Sequence, residues 1–251
     1  AEVPLIVDNT MATPWLCRPF EWGADLVVHS TTKFLSGQGN AMGGIVIDSG
    51  RFPWFGNAKY PSLSEPCPDY NGLTFAETFG DMAFTLYSHA VSLRDLGCTQ
   101  SPMNAWITLN GVETLPLRME RHVENAQKVA GFLQQHPSVE WVSYAGLSSS
   151  PYYQLAQKYL QGKAGSVFTF GIRGGYESGL RLLEKVELFS HVSNIGDSRS
   201  LILHPASTTH RQLSDEQRLT AGAGPEVIRL SVGIESAEDL IADLEQALEG
   251  L

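Results

Sequence analysis

Ala24-Asp25-Leu26-Val27-Val28-His29-Ser30-Thr31-Thr32-Lys33 is an apolar run that ends in three hydroxyl residues and a lysine. A continuous apolar run bounded by turn formers reads as a buried strand of a parallel sheet. Val3 to Val7 is a second such run and closes on Asp8, twenty-five residues before Lys33. Pro14 to Gly23 supplies a short helical crossover between the two, and Gly44 to Asp48 is a third strand. Both Asp8 and Lys33 then fall at the rim of an open α/β sheet, where such sheets bind their ligands.

The residue types at this rim suit one cofactor. A lysine amine forms a Schiff base with an aldehyde. Neighbouring hydroxyls can hydrogen-bond a phosphate, and an aspartate can pair with a protonated pyridine nitrogen. Proteins hold pyridoxal phosphate with this combination. Each residue also has an ordinary reading. The lysine can be a solvated loop charge, the aspartate a turn former, and the Ser/Thr pair a helix start. Spacing alone leaves both readings open.

Composition narrows the classes. With 251 residues, 43% apolar and 18% charged, the chain can bury a sizeable core in one or two domains. A net charge of -10 disfavours nucleic acid and anionic membrane as partners, so an anionic cofactor must be held by local donors. Cys17, Cys67 and Cys98 are widely spaced, with no Cys-x-x-Cys pair, which points to a reducing compartment, the cytoplasm. No apolar run approaches the ~18 residues of a membrane span. No metal-ligand spacing, Gly-x-Ser-x-Gly elbow or P-loop occurs, since Lys33 precedes the glycines at 37, 39, 43 and 44.

Further along, Ser101-Pro102 starts a helix, and Pro116 breaks or kinks it. Met119, Val123, Ala126, Ala130 and Leu133 then recur on one face of the next helix. This helix leads into a second domain, giving a division at 1–116 and 117–251. Strands are predicted at Glu140 to Tyr144, Val167 to Ile172, Leu201 to Leu203 and Val227 to Ser231, and helices at Tyr176 to Leu188, Ser214 to Ala221 and Ala237 to Leu248. Ser236 with Asp239 suggests a capping box for the last of these, with Leu240, Ile241, Leu244 and Leu248 as its buried stripe.

Several ordered motifs together carry a resemblance over essentially the whole chain. They are the stretches from Val7 to Pro14 and Gly23 to Phe34, then Ser101-Pro102-Met103-Asn104-Ala105, Leu117-Arg118-Met119-Glu120-Arg121-His122, Ser200-Leu201-Ile202-Leu203-His204-Pro205 and Arg229-Leu230-Ser231-Val232-Gly233. The chain resembles the Cys/Met-metabolism family of pyridoxal-phosphate enzymes. About fifty residues lie between Gly44 and the Ser-Pro helix, including Glu65-Pro66-Cys67-Pro68-Asp69-Tyr70-Asn71-Gly72. An insertion of this kind is similar to the O-acetylhomoserine sulfhydrylase branch. An ordinary surface loop is the alternative, although its aromatic content argues against disorder.

The resemblance implies an α/β, fold type I architecture: part of a large domain with a mainly parallel sheet, followed by a small α/β C-terminal domain. It implies pyridoxal phosphate as cofactor, with Lys33 as Schiff-base lysine and catalytic base, and Asp8, Ser30 and Thr32 binding the cofactor. Arg229 is implied as the grip on the substrate α-carboxylate, with Ser200 near the lysine and substrate. His204 and His210 flank a Ser/Thr-rich loop that could border the substrate, and an ordinary polar loop role is the favoured reading. The implied reaction is γ-replacement, in which O-acetylhomoserine and sulfide give homocysteine and acetate. Methionine γ-lyase, the cystathionine γ-synthases and lyases, and a non-catalytic oligomerisation fragment are the alternatives. The family also implies a dimer-based homo-oligomer, a tetramer, completed by an N-terminal segment of the same enzyme. That segment is expected to supply the aromatic that stacks on the pyridine and most of the phosphate donors.

Overall fold

Residues 2–251 are described by a computed structural model. The first strand forms at Ile6–Asp8 (β1), shorter than predicted and shifted toward Asp8. Pro4 has no N–H to give to a ladder, and Leu5 instead donates its amide to the Asp25 carboxylate at 2.8 Å. A short helix at Thr13–Leu16 (α1) crosses to the strand Leu26–Ser30 (β2), which runs parallel to β1 with Asp8 opposite Val28. The strand Gly44–Asp48 (β3) pairs with β2 in the opposite direction, Ser30 facing Gly44. This three-stranded sheet is therefore mixed. The chain between β2 and β3, residues 31–43, doubles back along the neighbouring edge, with Gly37 and Gly39 at positive φ.

The insertion is ordered. It contains three short helices, Pro61–Ser64 (α2), Phe75–Phe79 (α3) and Ala83–Tyr87 (α4), around Phe52, Trp54, Leu63 and Phe75. Trp54 stacks on Phe84 at 5.6 Å between centroids, and Phe75 meets Tyr87 edge-on at 5.1 Å. Such aromatic pairs each add about 0.5–1.5 kcal/mol beyond their buried area.

Ser101 caps the helix Pro102–Glu113 (α5) by accepting the Asn104 amide. The chain breaks at Thr114, as Pro116 requires, and resumes as the long helix Leu115–Gln135 (α6). Helix α6 serves two cores. Its first turns, with Leu115, Met119 and Val123, pack with Leu16, Phe34 and Leu35. Its second half, with Ala126, Val129, Ala130 and Leu133, enters the larger C-terminal core.

That core covers a five-stranded sheet. Its strands are Val139–Ser143 (β4), Val167–Ile172 (β5), Ser190–His191 (β6), Leu201–Leu203 (β7) and Val227–Ser231 (β8), in spatial order β4-β5-β8-β7-β6. Helices Tyr153–Tyr159 (α7), Gly175–Lys185 (α8), Asp215–Thr220 (α9) and Ala237–Leu248 (α10) complete the region. Of the predicted α10 stripe, Leu240, Leu244 and Leu248 are fully buried and Ile241 is half-buried. The predicted capping box does not form. Ser236 accepts the Asp239 amide but gives its hydroxyl to Glu238, and the reciprocal box forms instead between Ser214 and Gln217 at α9. No helix among the described residues is long and apolar enough to cross a membrane.

Candidate active site

Strands β1 and β2 end on the same rim because they are parallel, so Asp8, Ser30 and the Lys33 turn are brought together by topology. Asp8 accepts the Thr10 amide at 3.0 Å, and the Thr10 hydroxyl accepts the Ser30 amide at 2.8 Å. Hydrogen bonds from Thr10, aided by the nearby His29, hold the Asp8 carboxyl below its ordinary range, so it stays ionised. His29 is buried beneath the rim, and that burial pushes its imidazole toward the neutral form.

The chain after Ser30 folds as a wide helical turn, Thr31–Leu35, broken at Lys33 by a non-helical ψ of -129°. Phe34 and Leu35 are buried behind it and anchor the turn. Thr32 uses its hydroxyl on the Gly43 backbone, accepting from the amide at 3.1 Å and donating to the carbonyl at 3.3 Å. Ser30 has no side-chain partner among the described residues, so its hydroxyl is available to a ligand. The Thr31 hydroxyl points inward and is buried without a partner.

Arg229 lies on β8, the middle strand of the second sheet, paired with Thr169 on one side and Leu203 on the other. Ile228 and Leu230 point into the core, so Arg229 and Ser231 point to the opposite face, toward the Lys33 turn. No carboxylate among the described residues lies within ion-pair distance of Arg229. Its one hydrogen bond goes from Nη2 to the Asn194 carbonyl at 3.1 Å, and burial lowers its guanidinium pKa. A half-buried guanidinium with most of its five donors unused has the fork that suits a carboxylate. Neither Glu226 nor Glu235, the surface partners an ordinary role would need, takes it.

Ser200 occupies another position. It is fully buried, donating its hydroxyl to Glu235 at 2.9 Å and accepting the Gly233 amide at 2.8 Å. A hydroxyl so committed braces the backbone after Arg229 and has little left for a substrate. The residue beside the lysine is Asn194, whose Oδ1 accepts from Lys33 Nζ at 2.5 Å. Its signal in the sequence is the turn Asn194-Ile195-Gly196-Asp197, six residues ahead of the motif that drew attention to Ser200.

Two supports were likewise not read from sequence. Arg118 donates to the Phe34 carbonyl at 2.8 Å and the Gly111 carbonyl at 2.7 Å, tying the end of the lysine turn to α5. His122, fully buried, meets Phe34 edge-on and bonds through Nδ1 to the Val232 carbonyl at 2.7 Å, bridging the lysine turn and the end of β8. Burial pushes its imidazole down to about 4. His204 is a structural residue, held between Ser207 and the Pro225 carbonyl.

This donor set fits a phosphorylated pyridine aldehyde: a lysine amine with only a neutral partner, an ionised aspartate on the same rim, and a free serine hydroxyl between them. Residues 1–249 match the model of the Cys/Met metabolism PLP-dependent enzymes. The chain is 51% identical to an O-acetyl-L-homoserine sulfhydrylase of Leptospira meyeri, covering 99% of this chain and 58% of that protein. It is 50% identical to O-acetyl-L-homoserine sulfhydrylase 1 of Thermus thermophilus, over 98% of this chain and 58% of the relative. A crystal structure described as an O-acetylhomoserine (thiol)-lyase of Campylobacter jejuni superimposes with a TM-score of 0.94 at 43% identity, over 99% of this chain and 59% of that one. That structure carries N'-pyridoxyl-lysine-5'-monophosphate. The chain thus spans a little under three fifths of the length of these relatives.

Proposed function

The chain belongs to the Cys/Met-metabolism family of pyridoxal-phosphate-dependent enzymes, and on that premise we propose that it carries the lysine and carboxylate-binding parts of an O-acetylhomoserine sulfhydrylase. The observation that carries this reading is the meeting of Lys33 and Arg229, from two different sheets, at Asn194. The names of the relatives favour the sulfhydrylase over the lyases.

Lys33 is the attachment point for the cofactor aldehyde, and Ser30 and Thr32 contribute to holding its phosphate. Thr32 would do so by turning its one hydroxyl proton from the Gly43 carbonyl to the phosphate, keeping the bond it accepts from the Gly43 amide. Asp8, ionised at the rim, would pair with the pyridine nitrogen and favour its protonated form. When bound, the cofactor supplies a sink for the electron pair left at the substrate Cα. Arg229 grips the α-carboxylate of O-acetylhomoserine in a two-pronged bond, which fixes Cα relative to Lys33. The freed Lys33 amine takes the Cα proton as general base. A second proton leaves Cβ, acetate departs from Cγ, and sulfide adds at Cγ to give homocysteine after the protons return. Loss of Asp8 removes the ring's charge partner, so Asp8→Ala should collapse the rate of Cα proton exchange; near-normal exchange would assign the role to another acid.

We divide the chain at 1–116, the cofactor-binding part, and 117–251, the small domain. Val3, Leu5 and Ile6 stay exposed at the edge of the first sheet, and open strand edges of this kind call for a partner. An N-terminal segment of the same enzyme completes the site in this reading, within a dimer-based homotetramer in the cytoplasm. Product analysis of the complete enzyme with O-acetylhomoserine tests the reaction. Homocysteine and acetate should predominate when sulfide is present. Dominant 2-oxobutyrate and ammonia at saturating sulfide would make it a γ-lyase, and no turnover would leave the fragment an oligomerisation element.

A further inference from the structure

The turn that carries Lys33 and the strand that carries Arg229 have no backbone pairing with each other, yet one loop touches both. Residues 192–200 leave β6, cross the face of the second sheet that Arg229 and Ser231 share, and return as β7. On the way the Gly196 amide donates to the Ser231 hydroxyl at 3.0 Å, and the Ser198 amide donates to the Gly37 carbonyl at 2.8 Å. The loop is therefore pinned to the Arg229 strand by one bond and to the lysine turn by another.

Asn194 sits at the crossing. Its side-chain Oδ1 accepts from Lys33 Nζ, and its main-chain carbonyl accepts from Arg229 Nη2. Its Nδ2 lies over Gly39, where a Cβ would come within 2.5 Å. Gly39 also has a φ of +64°, which L side chains rarely adopt. At Gly196 a Cβ would lie 2.7 Å from the Phe34 amide nitrogen. Two glycines thus keep the close approach open, one on each side of the contact.

We propose that Asn194 is a positioning residue that sets the proton carrier and the carboxylate grip relative to each other, its side chain aiming the Lys33 amine and its backbone aiming Arg229. The proposal rests on the roles given above to Lys33 and Arg229. A neutral amide suits the task. It orients the amine by accepting one hydrogen bond, whereas a carboxylate in its place would stabilise the ammonium form and leave less free amine to take the Cα proton.

The two halves of the contact are separable. Asn194→Ala removes Oδ1 but keeps the main-chain carbonyl, so it should lower kcat roughly 10- to 100-fold while the KM for O-acetylhomoserine changes little. Gly39→Ala crowds the Asn194 side-chain amide and not its main chain, so it should lower kcat in the same direction as Asn194→Ala. Asn194→Asp, nearly isosteric, should move the acid limb of the kcat profile to higher pH. A readout independent of turnover is peptide-mapped amine labelling of the apoenzyme, in which Lys33 of Asn194→Ala should react at a rate several-fold different from the parent. The full-length enzyme is used throughout, with melting temperature and cofactor content measured for each variant. Parental kcat, pH profile and labelling in the folded Asn194 variants, alongside an inactive Lys33→Ala, would overturn the positioning role alone. An active Lys33→Ala would overturn the functional reading beneath it.

Discussion

The second sheet of this protein closes its own core, and the first sheet does not. Around β4 to β8, twenty buried apolar residues from strands and from α6, α8 and α10 form one contiguous cluster. The Asp243 carboxylate there accepts the amides of Glu187, Leu188 and Phe189, and the Tyr144 hydroxyl donates to the Gly165 carbonyl, while the buried Ser166 hydroxyl has no partner. Around β1 to β3, Ile6 is 56% exposed and Val46 53% exposed, and the buried His29 Nδ1 has no partner. The candidate site lies between the two. The closed sheet supplies Arg229 on a rigid central strand, and the open sheet supplies the lysine rim. In the proposed reading the grip sits on the closed sheet and the cofactor rim on the more exposed one.

The largest effect expected is at the rim. Lys33→Ala removes the attachment point and the base together and should lower turnover by at least about 1,000-fold, read in steady-state assays of the complete enzyme. Next comes the grip. Arg229→Lys keeps the charge but loses the fork, and the loss of one desolvated charged contact costs roughly 2–5 kcal/mol, read as a raised apparent substrate constant. An unchanged constant would remove Arg229 from the carboxylate.

Stability sharpens the same contrast. Leu230, fully buried in the closed core, should cost about 2–5 kcal/mol as Leu230→Ala. Ile6→Ala, tested in residues 1–251 alone, should stay within ~0.5 kcal/mol because little is lost at an exposed edge. A large cost there would mean that the first sheet is already covered. His122 adds a pH dependence. Its value falls from 6.5 to about 4 on folding, so the unfolded chain takes up the proton first. Its contribution is full above about pH 6.5 and is lost progressively toward pH 4, about 3 kcal/mol in all. His122→Gln should flatten that part of the denaturation profile. At the α9 cap, Ser214→Ala should cost about 1 kcal/mol, between the Leu230 and Ile6 effects.

Much of this was legible before the structure. Strands β5, β7 and β8 and helix α10 were read to the residue, because their apolar periodicity is bounded by clear turn and cap residues. The antiparallel entry of β3 was not, since strand direction is decided by how the chain returns rather than by the strand's own pattern. Helix α7, with few buried residues and no cap, carries little periodic signal. Asp8, Ser30 and Lys33 were visible because parallel strand ends deliver residues to one rim. Asn194 was hidden because its role depends on a contact 161 residues apart in the chain, which no local pattern records. Ser200, read from its motif, bonds Glu235 through its amide and its hydroxyl.

The central claim is that Lys33 is where the cofactor attaches. Borohydride reduction of the holoenzyme, followed by proteolysis and mass mapping, tests it most directly. The pyridoxyl group should be found on the peptide carrying Ser30-Thr31-Thr32-Lys33, on Lys33 itself. A label on Lys59 or on any other lysine, or none in an intact holoenzyme, would contradict it.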